Sequence, residues 1–105
     1  MYKITIDTTN RDNRQVTLYK DAVVMDEVAG VVDVVSEIQK LLQKHKLNIK
    51  DIDEFKANPG PGSFTGIKIG ITIANVLNWA LGKKKITDLQ QPEYGGEPNV
   101  TLPKA

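Results

Sequence analysis

Residues 59–74 read PGPGSFTGIKIGITIA, and this run governs how the rest of the chain is read. It begins as a loop. Together with the residue before it, Asn58-Pro59-Gly60-Pro61-Gly62 is too rich in proline and glycine for a helix or a central strand. From 65 to 81 the chain is proline-free and apolar-rich, which predicts a helix capped by Ser63 or Thr65 and stopped by Gly82. Lys83-Lys84-Lys85 then places positive charge where a helix C-terminus favours it. Before the loop, Glu54-Phe55-Lys56-Ala57 has the length of a short strand. The order is therefore strand, glycine-rich loop, and a helix N-terminus carrying hydroxyls. Such a terminus offers unpaired N–H groups and partial positive charge, so Gly60, Gly62, Ser63, Thr65 and Gly66 are candidate phosphate contacts. A second reading needs no ligand. The glycines shape a turn, a hydroxyl caps the helix, and Gly66, Gly70 and Ala74, spaced by four, let its backbone approach a neighbour. The loop is not of the Walker A type, because no Lys-Ser/Thr pair follows the glycines at that spacing.

Upstream, Tyr2, Ile4 and Ile6 alternate with Lys3 and Thr5, the period of a half-buried strand. The polar residues 7–14 form a turn region, Val16 and Leu18 resume the alternation, and Ala22-Val23-Val24-Met25 is a third β-prone run after Lys20-Asp21. Three strands joined by short turns predict an antiparallel meander. Parallel pairing would need a longer crossover. From Val31 the period lengthens. Val31, Val34, Val35, Ile38, Leu41 and Leu42 lie on one face of a helix, with Glu37, Gln39, Lys40, Gln43 and Lys44 opposite. Asn48 and Asp51-Ile52-Asp53 end it. A fifth strand is expected over residues 86–89. Residues 90–105, with three prolines and Gly95-Gly96, read as an extended tail, so the domain division is 1–89 and 90–105.

Composition narrows the function. The 105 residues fit one domain, and 14 Lys+Arg against 13 Asp+Glu leave a net charge of +1. That balance argues against nucleic-acid binding driven by global charge. No apolar run is long enough to span a membrane, and a strand-like segment at Tyr2 leaves no room for a leader, so a cytoplasmic protein is expected. There is no cysteine, which excludes disulfides, thiolate metal sites and cysteine nucleophiles. The single histidine, His45, argues against a histidine-based metal site or triad. No catalytic residue, no metal and no cofactor is expected. Asp51, Asp53 and Glu54 read as solvated loop carboxylates.

Projected at about 100° per residue, the helix over 65–81 presents Lys68, Thr72, Asn75 and Asn78 as a polar arc, with Ile71 and Trp79 among them. Apolar side chains in that arc fit a face covered by a second protein, or by the chain's own tail. The expected partner interface is thus Lys68, Ile71, Thr72, Asn75, Asn78 and Trp79.

The run from Gly60 to Gly70, followed by Ala74, resembles the GPGSFTGLRIG signature of the TsaB (YeaZ-like) family. In order along the chain, Ile4-Ile6-Asp7-Thr8-Thr9 is similar to that family's opening strand and turn. Ile38 to Leu42 is similar to the end of its first helix, and Asp51-Ile52-Asp53 to the lead into its fourth strand. The resemblance implies one lobe of the actin/sugar-kinase-like (ribonuclease H-like) fold: an α/β lobe whose mixed sheet has three antiparallel strands, one or two parallel ones, and two main helices. It also implies a non-catalytic partner of a TsaD-like subunit that makes threonylcarbamoyladenosine in tRNA, with a TsaE-like ATPase in the assembly. Pairing would be with TsaD or with a second copy, and tRNA contact would be indirect or weak. In kinase-like relatives the opening turn binds phosphate, which adds Asp7, Thr8 and Thr9 to the possible phosphate contacts. Family members have two lobes and a His-Ser-Glu where this chain has Gly30-Val31-Val32. The alternatives are a small phosphate- or nucleotide-binding domain and a self-associating module.

Overall fold

The computed structural model describes residues 1–10, 12–84 and 90. Its elements are β1 (Tyr2–Asp7), β2 (Arg14–Lys20), β3 (Val23–Gly30), α1 (Val34–Lys44), a 3-10 turn (Ile49–Asp51), β4 (Ile52–Ala57) and α2 (Phe64–Ala80). The four strands form one sheet in the order β3-β2-β1-β4. β1 pairs antiparallel with β2, β2 antiparallel with β3, and β1 parallel with β4. The expected mixed sheet of three antiparallel strands plus a parallel one is present. The expected fifth strand at 86–89 and the tail lie outside the described residues, Gln90 excepted.

Alternation explains the layers. Ile4 and Ile6 of β1, Val16 and Leu18 of β2, and Phe55 and Ala57 of β4 point to one face and are buried. They form a single core with Val34, Ile38, Leu41 and Leu42 of α1 and with Ile67, Ile71 and Ala74 of α2. Both helices therefore cover the same side of the sheet. On the other side, Lys3, Thr5, Thr17, Tyr19, Glu27 and Lys56 line a shallow polar hollow of about 370 Å³.

Several boundaries differ from the sequence reading, those of β3 and α1 most. Ala22 belongs to the β2–β3 turn, with φ +69°, and β3 continues past Met25 to Gly30. A register shift opposite Leu18/Tyr19 leaves Met25 as the extra residue of a bulge. The continuation was hidden because Asp26 and Glu27 are polar, which an edge strand tolerates. α1 begins at Val34 and not Val31: Val31 is 84% and Val35 48% exposed, so the buried arc is Val34, Ile38, Leu41 and Leu42. α1 also ends earlier, at Lys44. Leu47 N–H donates to Leu42 O at 2.8 Å and Lys46 N–H to Gln43 O at 3.2 Å, with Lys46 at φ +55°. This is a Schellman ending with lysine in the left-handed position usually held by glycine. α2 ends the same way, with Gly82 at φ +70° in that role.

α2 carries the largest correction. Gly66, Ile67, Gly70, Ile71, Ala74 and Asn78 are its buried residues, an arc of about 140°. Ile71 and Asn78 point inward and not to solvent. The helix seats on its smallest residues, so the Gly66-Gly70-Ala74 stripe sets the contact line and Ile67, Ile71 and Asn78 fall on its flank.

Candidate functional site

Two regions hold the residues singled out by the sequence. The first is the junction where the end of β1 meets the start of α2. Ser63 caps α2, its hydroxyl accepting from Gly66 N–H at 3.2 Å; Thr65, the other candidate cap, is exposed. Thr8 is 1% exposed, and its hydroxyl donates to Gly66 O. A Cβ on Gly66 would collide with the Thr8 carbonyl, one on Gly70 with the Thr8 hydroxyl, and one on Gly62 with Thr9. The close-packing role of Gly66 and Gly70 is realised here, with Thr8 as the neighbour, while Ala74 is buried in the core. The loop is stitched to the turn as well, since Ser63 N–H donates to Thr9 O at 2.8 Å. Gly60 has φ +116°, and its N–H donates to Asn58 Oδ1 at 3.1 Å.

Asp7 closes this junction. Oδ1 accepts from Thr9 N–H at 3.0 Å and from the Thr9 hydroxyl at 2.7 Å, and Oδ2 accepts from Asn58 Nδ2 at 3.0 Å. Burial works against its charge, but the Thr9 hydroxyl, the Asn58 amide and the Thr9 main chain outweigh it, so the carboxyl stays below its ordinary pKa. The structure thus brings Asp7, Thr8, Thr9, Gly62, Ser63 and Gly66 together, largely in contact with one another. Beside them lies a hollow of about 130 Å³ lined by Arg14, Ser63, Thr65, Gly66 and Ile69. Arg14, which the sequence reading missed, donates to Val32 O through Nη1 at 3.4 Å. Among the described residues its buried Nε has no partner.

The second region is the outer face of α2. Of the six expected interface residues, Lys68, Thr72 and Trp79 are exposed there. Asn75 lies on its margin, bonded to Gln90. Ile71 and Asn78 are in the interior; Asn78 accepts from Phe55 N–H at 2.9 Å and donates to Phe55 O at 2.6 Å. Val76, absent from the expected set, is 55% exposed one turn before Trp79 at 59%, and Phe64, also absent, is 49% exposed at the opposite end of the helix. Centring the buried arc on the small-residue stripe, and not merely including it, would have turned Val76 outward.

The remaining charged candidates serve the fold. Asp51 closes a capping box with Asn48, and Asp53 accepts from Tyr2 N–H at 2.9 Å. Glu54 pairs with Lys84 at 2.8 Å, and Lys83 donates to Lys50 O at 3.2 Å. His45 meets Asp26 at 2.8 Å. Among the described residues no group of three His, Cys, Asp or Glu side chains is placed to hold a metal ion. Nor is any helix of the described residues long and apolar enough to cross a membrane.

Comparison with known proteins agrees with this architecture. The chain is 29% identical over 83 residues to "tRNA threonylcarbamoyladenosine biosynthesis protein TsaB" of Bacillus subtilis (strain 168), covering 74% of this chain and 36% of that protein. It is 32% identical over 83 residues to the TsaB of Buchnera aphidicola subsp. Schizaphis graminum (strain Sg), covering 74% of this chain and 39% of that one. The chain thus spans well under half the length of these relatives. Two solved structures share its fold with TM-score 0.70 at 22% identity, over 78% of this chain and 40% of theirs. One is YeaZ from Pseudomonas aeruginosa; the other is described as an uncharacterized protein with similarity to peptidase YEAZ from that organism. A family model described as "TsaD: tRNA N6-adenosine threonylcarbamoyltransferase" matches residues 31–87. With more than half the chain inside that match, the chain belongs to this family, and within it is TsaB/YeaZ-like over the N-terminal part of its relatives.

Proposed function

We propose that this chain takes part in threonylcarbamoyladenosine formation in tRNA as a non-catalytic subunit of the cytoplasm. It docks on a TsaD-like catalytic protein through the outer face of α2. The observation that carries this reading is that face itself: Trp79 and Val76 stay 59% and 55% exposed in line with Lys68 and Thr72, and Phe64 stands at its head. An exposed tryptophan flanked by apolar and polar side chains is the make-up of an interface anchor with a polar rim. Asp7, the carboxylate nearest the glycine-rich loop, has both oxygens engaged by its own chain, which supports a positional role. Without the catalytic protein, the same face would pair with a second copy.

The test is co-purification with the TsaD-like protein of the same organism. Trp79→Ala and Val76→Glu are expected to weaken the complex by about thirtyfold or more, the scale of a lost hot spot. Their thermal unfolding should match the parent chain. A complex that survives both substitutions overturns the docking assignment. Ile71 and Asn78 are unsuitable probes, because replacing either disturbs the interior.

The unpartnered Arg14 Nε favours a second reading, anion binding in the hollow beside the α2 N-terminus. Calorimetry with inorganic phosphate and ATP should then show binding that Arg14→Gln abolishes. No heat from either at millimolar ligand removes this reading.

A further inference from the structure

β4 borders no further strand among the described residues, yet its outward main-chain groups are taken. Asn58 N–H donates across the ladder to Ile6 O at 2.8 Å. By the two-residue alternation of a strand, Phe55 and Ala57 therefore turn their N–H and C=O groups to the free edge, and it is these two residues whose outward groups are taken. Each is met by a side-chain carboxamide. Asn78 binds both groups of Phe55 at 2.9 and 2.6 Å. Gln90 Oε1 accepts from Ala57 N–H at 2.7 Å, and Gln90 Nε2 donates to Ala57 O at 2.8 Å. Gln90 is gripped in turn: its main-chain N–H donates to Asn75 Oδ1 at 2.9 Å, and its C=O accepts from Asn75 Nδ2 at 3.0 Å.

A primary carboxamide carries a donor and an acceptor side by side, as the outward edge of a strand residue does. Each of these contacts therefore copies one rung of strand pairing. We propose that Ala57 and Asn75 form a recognition site for a glutamine residue, filled by Gln90 of the same chain, which occupies the β4 edge at the rung another strand would use. Asn75 reads only main chain and would accept many residues. Ala57 supplies the selectivity. Glutamate has no donor for Ala57 O and would set a carboxylate against it, and asparagine is one methylene shorter. This inference does not depend on the docking reading.

The test is amide hydrogen exchange on the full chain, followed residue by residue by NMR. In the parent chain, Ala57 N–H should be protected. Gln90→Glu, nearly isosteric, should cut that protection by about tenfold or more. Asn75→Asp should do the same with the glutamine still in place, since it removes the donor to Gln90 O. Asn58 N–H, bonded to Ile6 on the inner side of β4, should keep its protection in both variants, which separates edge opening from unfolding. Two results overturn the proposal: an Ala57 amide that exchanges freely in the parent chain, or one whose protection survives both substitutions.

Discussion

Asp21 and Ala22 sit at φ +51° and +69° in the two-residue connection between β2 and β3. Positive φ at both positions is the type I′ geometry that matches strand twist, and it favours asparagine or aspartate followed by glycine. Aspartate suits the first position, but alanine in the second holds its Cβ in a disfavoured conformation. Lys46 does the same at the end of α1. Ala22→Gly and Lys46→Gly are therefore each expected to stabilise the chain by about 0.5–1 kcal/mol in denaturant titrations. An unchanged or lowered midpoint in both would show that the two turns carry no such strain. Neither residue could be singled out in the sequence. Stop signals are read from glycine, and these two turns use the left-handed region without it.

Among the elements, α1 and β3 are joined by one carboxylate. Asp26 Oδ2 lies 2.8 Å from His45 Nε2 and 2.9 Å from Lys44 Nζ, at the end of the helix. The β3 bulge just before Asp26 sets it opposite Leu18, on the side the helices cover. The hydrogen bond from His45, then those from Lys44 and the Glu27 main chain, hold its carboxyl far below the usual range. A carboxyl whose pKa is depressed in the fold stabilises it above its unfolded value and loses that contribution as pH falls. Asp26→Asn should thus lower stability at neutral pH and flatten its dependence between about pH 5 and 3. Equal slopes for parent and variant would count against the contact. The sequence offered no hint that His45 meets Asp26, because the pair depends on a bulge that no local propensity announces. The strands β1 and β2 and the helix α1 were legible from their apolar periods, β4 from its length before the loop, and α2 from its proline-free, apolar-rich run. The inward face of α2 was legible only in part. Hydropathy favours isoleucine over glycine, whereas the packing favours whatever permits the closest approach.

For the molecule as a whole, the sheet and its two helices share the fold of part of a YeaZ structure, and one helix face is left outward for the proposed partner. One close contact in this fold joins distant parts of the chain. Thr8 and Gly66 are 58 residues apart in sequence, while β1, β2 and β3 are joined by neighbouring turns. Closing so long a segment costs chain entropy before it returns any contact, so the meander is expected to organise first and the seating of α2 to come late. Gly66→Ala, which sets a methyl group against the Thr8 carbonyl, should then act on the escape from the native state. In stopped-flow measurements its cost of about 1–3 kcal/mol would appear mainly as faster unfolding, with the refolding rate nearly unchanged. A refolding rate that falls in step with stability would instead put α2 in the folding nucleus. On this reading, the glycine that looked like part of a ligand loop governs how long the folded chain lasts.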